Sequence, residues 1–98
     1  MLPDIDLVLE RCHPVACVGG TQKIYRFKSG WGVSLINGKG AHAYPFAWEA
    51  AVLKNVSADG TKFEISYETE LTDDVEIFQT DDQAKEFLME AKTILEKR

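Results

Sequence analysis

Apolar residues alternate with polar ones over several short stretches of this chain. From Lys23 to Lys28, Tyr25 and Phe27 take one face and Arg26 and Lys28 the other, the two-residue period of a half-buried strand. Ser29-Gly30 breaks the run as a turn, and Trp31, Val33 and Leu35 resume it, which predicts a β-hairpin. Asn37-Gly38 is a second turn signal, because both residues tolerate positive φ. Lys62 to Glu68 alternates most cleanly, with Phe63, Ile65 and Tyr67 inward and Lys62, Glu64, Ser66 and Glu68 outward. Val15 to Val18, closed by Gly19-Gly20, and Val75 to Phe78 are shorter apolar runs of strand character.

Two stretches carry the helical period instead. Asp4 to Cys12 places Ile5, Val8 and Leu9 on one stripe and stops before Pro14, which pushes its predecessor out of the helical region. That predicts a short N-terminal helix. Near the C-terminus, Ala84, Phe87, Leu88, Ala91, Ile94 and Leu95 recur at spacings of three and four. Thr80 with Gln83 forms a capping-box pattern, Asp81 and Asp82 suit the positive end of the helix, and Lys97 and Arg98 the negative end.

Residues 45–56 fit either pattern. As a helix, Pro45 would open it and Phe46, Ala50 and Leu53 would form one stripe. As a strand, Trp48 to Asn55 would meet Lys62 to Glu68 across the turn cluster Ser57 to Lys62. The long alternating run needs a neighbour, and that favours the hairpin. The chain then makes a meander-like antiparallel sheet of about five strands, with the C-terminal helix packed on one face and a short N-terminal helix. This is an α+β arrangement in a single domain, residues 1–98.

Composition bounds the function only loosely. The hydrophobic and charged shares, 45% and 28%, are those of an ordinary globular protein, and no apolar run approaches membrane-spanning length. The opening MLPDIDLVLE is acidic where a secretory leader would be basic, so a cytoplasmic location is expected, with no membrane partner. The net charge of −5 is uneven: residues 1–10 sum to −3, residues 11–54 to +5 and residues 55–98 to −7. Overall acidity argues against nucleic acid as a partner. Cys12 and Cys17, the only cysteines, read as free thiols. With His13 between them and His42 far off, they fall short of the four ligands of a structural metal site, so neither metal nor cofactor is expected.

Candidate chemistry concentrates between Ser29 and Trp48, which holds four of the seven glycines, both tryptophans, His42 and Pro45. Asn37-Gly38-Lys39-Gly40 is not a phosphate loop, since Gly40 stands where Ser or Thr would bind magnesium. His42 would need a nucleophile within reach to act as a base. Ser34 and Cys17 are conceivable, but nothing local ties either to it. Lys39, His42, Tyr44 and Trp48 are therefore assigned to a binding surface, where amphipathic aromatics are enriched. The second candidate surface is acidic: Glu64, Glu68, Glu70, Asp73, Asp74, Glu76, Asp81, Asp82, Glu86 and Glu90 face only Lys62 and Lys85 over residues 61–90. Such a run ordinarily keeps a protein soluble; the sharper expectation is that Asp73, Asp74, Asp81 and Asp82 dock on a basic partner.

The expected function is a small, acidic, non-catalytic binding protein of inhibitor or modulator type, acting on a protein partner. Two other classes stay open. One is a small-ligand domain or enzyme using the His42 loop. The other is a module that pairs with itself through an exposed sheet edge.

Overall fold

The computed structural model describes residues 4–12, 20–37, 48–66 and 76–97. Among the described residues, six strands form one antiparallel sheet: β1 (Leu7–Cys12), β2 (Thr21–Arg26), β3 (Gly32–Asn37), β4 (Trp48–Lys54), β5 (Glu64–Ile65) and β6 (Glu76–Phe78). One helix, α1 (Asp81–Leu95), packs on it. The strands run in sequence order from β1 to β5, and β6 joins the outer edge of β4 at its other end. The α+β meander expected from the periodicities is what forms. No helix among the described residues is long and apolar enough to cross a membrane.

The β2–β3 hairpin follows its alternation closely. Gly30 N donates to Phe27 O at 3.0 Å and Phe27 N to Trp31 O at 2.8 Å, with Gly30 at φ 89°. That is a turn ending in a left-handed residue, which glycine adopts at no steric cost. At the far end Asn37 Oδ1 accepts from Thr21 N at 3.0 Å. The Val15 to Val18 strand, Gly38 and Tyr67 lie outside the described residues.

Residues 48–54 are a strand, not a helix. Trp48, Ala50, Ala51, Val52 and Leu53 are all buried because β4 is covered on both faces. Toward α1, Trp48, Ala50 and Val52 join Tyr25, Phe27, Val33 and Leu35 beneath Ala84, Phe87, Leu88, Ala91 and Leu95. On the reverse face Leu53 meets Ile24 and Val56, with Val8, Leu9 and Phe63 against them. Each large side chain so buried contributes roughly 1.5–3 kcal/mol.

Two sequence expectations are corrected. The N-terminal helix does not form, and most of its residues build β1, paired with β2. Asp6 takes φ 65° and Leu7 N donates to Asp4 O, so the chain turns before it extends. The register then shifts between Leu7 and Leu9, leaving Val8 as a bulge. The bulge puts Val8 and Leu9 together on the reverse-face cluster and Leu7 on the helix side. The second correction concerns Lys62 to Glu68. Among the described residues of this run the ladder with β4 pairs Glu64 and Ile65, and Ser66 is buried at 6% exposure whereas Ile65 stands 46% exposed. Ser66 N donates to Val52 O, so the chain stays against β4, and Ile65 lies on the last strand of the order, outside the reverse-face cluster.

Candidate functional site

The helix is held over the sheet at both ends. Thr80 caps it, its Oγ1 accepting from Gln83 N at 3.2 Å, while Gln83 Oε1 accepts from Gln79 N at 2.9 Å. The pair is a capping box whose return bond reaches one residue before the cap. Asp81 and Asp82 follow in the first turn, as the helix dipole favours. Trp48 Nε1 donates to Asp81 Oδ1 at 2.7 Å, tying this turn to β4 across 33 residues of sequence. At the other end Ser29 Oγ donates to Leu95 O at 2.8 Å. The Lys92 ammonium pairs with Asp6 at 2.8 Å, and that hydrogen bond raises the lysine pKa.

These anchors set α1 beside β6 and open a groove of about 370 Å³ between them. Glu76, Ile77 and Phe78 form one wall and Gln83, Glu86, Phe87 and Glu90 the other. Phe78 sits opposite Trp48 in the β4–β6 ladder, and its ring centroid lies 5.3 Å from that of Phe87 at 40°. Phe87 is the hinge of the arrangement: it belongs to the core cluster, yet its rim reaches the groove. Ile77 is 47% exposed, and all three glutamates are solvent-exposed. Ile77, opposite Glu49 in the ladder, has its side chain on the sheet face away from α1, so the groove offers the aromatic surface of Phe78 and Phe87 beside three carboxylates, and its described lining residues include no lysine, arginine or histidine. Among the described residues, no three Asp, Glu, His or Cys side chains converge as metal ligands.

The residues expected at a binding surface fall into three groups. Trp48 and Asp81 come together: Trp48, 6% exposed, donates to the carboxylate of Asp81, which is itself exposed in the first turn of α1. Asp82 is exposed in the first helical turn. Lys39, His42, Tyr44, Asp73 and Asp74 lie outside the described residues. Ser34, conceivable as a nucleophile, is 3% exposed, and its Oγ accepts from Gln22 Nε2 at 3.2 Å. Gln22 in turn accepts from Arg11 Nε at 2.9 Å, so Ser34 ends a hydrogen-bonded row across three strands.

Glu76, Glu86 and Glu90 were visible only as members of the acidic run. Their common site had one sequence signal: Gln83, Glu86, Phe87 and Glu90 recur at helical spacing on a flank beside the apolar stripe. Comparison with known protein families, characterised proteins and solved structures finds no match, so the groove is read from its own geometry.

Proposed function

We propose that this chain is a small non-catalytic binding module of inhibitor or modulator type, which docks on a basic surface of a protein partner. One observation supports the reading above all. The groove between β6 and α1 joins the half-buried ring of Phe78 to three exposed glutamates, with no basic side chain among its described lining residues. A concave site of one charge sign steers an oppositely charged partner and fixes its register, and apolar contact then slows release. Among the described lining residues there is no serine, threonine, cysteine, histidine, lysine or tyrosine, which supports recognition as the use of this groove.

The test compares the native chain with the triple variant E76Q/E86Q/E90Q as bait in a cell lysate, at low and high salt. The reading expects a protein that the native chain retains at low salt, releases at high salt, and that the variant fails to retain. With that protein purified, the variant's association rate should fall by about tenfold or more and lose its salt dependence. Equal retention by native chain and variant would overturn the reading.

A further inference from the structure

We infer that the groove receives an arginine side chain carried on a loop or extended segment of the protein partner. This inference rests on the docking reading and sharpens it to one side-chain chemistry. Size comes first. At about 370 Å³ the groove is near the lower end of small-ligand cavities, roughly 300–1,000 Å³. It takes a single long side chain with its hydration, whereas a docked helix roughly 10–12 Å across would need a longer trough.

The charge requires a cation, and the arrangement of the walls selects among cations. A hard metal ion wants about six or more oxygens, while Phe78 and Phe87, between the walls, present only hydrocarbon side chains. A lysine ammonium is a compact, strongly hydrated point charge that makes little use of an aromatic wall. A guanidinium is weakly hydrated, stacks on aromatic rings and presents five N–H donors in a planar fork. Phe78, half-buried and 5.3 Å from Phe87, supplies the ring surface. Glu86 and Glu90 stand one helical turn apart on one wall, and Glu76 lies on the other. A fork entering between the walls can therefore donate to carboxylates on both sides. Arginine is also among the residues that most often dominate binding energy at protein interfaces.

The test uses the whole chain, isotopically labelled, and three blocked tripeptides that differ only in the middle residue: Gly-Arg-Gly, Gly-Lys-Gly and the neutral Gly-citrulline-Gly. The arginine peptide should shift the ring signals of Phe78 and Phe87 and the side-chain signals of Glu86 and Glu90, saturating in the millimolar range expected for one charged side chain. The lysine peptide should bind at least about threefold more weakly, and citrulline should leave the signals in place. E86Q/E90Q should weaken the arginine peptide by about tenfold with an unchanged circular dichroism spectrum. Phe78→Leu keeps the charge and most of the apolar surface, so it should erase the preference for arginine over lysine while both still bind. Equal shifts from all three peptides, no shift from arginine, or an arginine preference that survives Phe78→Leu would each overturn the inference. If lysate capture still depends on the three glutamates while the arginine peptide leaves the groove signals unmoved, the docking reading stands and the arginine assignment alone falls.

Discussion

Asp81 shows how one exposed side chain can satisfy two demands at once. Its place in the first turn suits the helix dipole, and its carboxylate accepts the indole N–H of a tryptophan that is only 6% exposed. Removing that acceptor leaves Trp48 with a buried donor, whose desolvation costs about 1–3 kcal/mol. Asp81→Ala should therefore lower stability by about that amount, and Asp81→Asn, which keeps an oxygen at the same place, by less than about 1 kcal/mol. Urea unfolding followed by tryptophan fluorescence reads both variants; equal losses would mean that the bond carries no stability. The acidity of Asp81 was legible in the sequence. Its partner was not, because a contact across 33 residues has no local signature.

At the scale of elements, the legible parts were those whose period is clean. The C-terminal helix and its Thr80–Gln83 cap, the β2–β3 hairpin and its glycine turn all follow from local spacing and turn chemistry. Two elements are harder to read for physical reasons: only the need of Lys62 to Glu68 for a neighbour marks β4 as a strand, and the spacing within β1 predicts a helix. In β4 the side chains are buried on both faces, so Trp48 to Leu53 is a nearly continuous apolar run, and such a run does not separate strand from helix. In β1 the bulge at Val8 breaks the alternation and mimics helical spacing with Ile5, Val8 and Leu9. The groove escaped as well. Its two walls, β6 and the flank of α1, are separately visible in the sequence, but the space between them exists only after the helix is anchored.

The bulge is also held from outside, and this can be measured. Gly60 lies in the turn after β4 at φ 76°, and a Cβ there would come 2.9 Å from Leu9 Cβ and 2.9 Å from Val8 Cγ2. Gly30, at φ 89°, has nothing within 4 Å of the same atom. Both positions carry the left-handed penalty for alanine, roughly 1–2 kcal/mol, but only Gly60 adds a collision, worth about 1–3 kcal/mol more. Gly60→Ala should therefore destabilise clearly more than Gly30→Ala in parallel denaturant titrations. If the two losses are equal, the turn does not press on β1.

Over the whole molecule, Tyr25 on β2 is fully buried in the hydrophobic cluster that the sheet shares with α1. Burial, then the negative charges of Asp4 and Glu10, push its phenol up to about 12 from an ordinary 10.0. Because the folded value is the higher one, the unfolded chain releases this proton first as pH rises. The stabilisation is complete below pH 10 and drains away between about 10 and 12. Lysines titrate over the same range, so the informative quantity is the difference between native chain and Tyr25→Phe. Phenylalanine fills the ring's space and has no proton to lose. The native chain should lose stability relative to the variant on passing from pH 10 to pH 12, and tyrosinate absorbance should show one phenol that ionises near 12 or only as the chain unfolds. A native-minus-variant difference that stays flat across this window would mean that water reaches the ring, and that α1 does not seal the face of the sheet it covers.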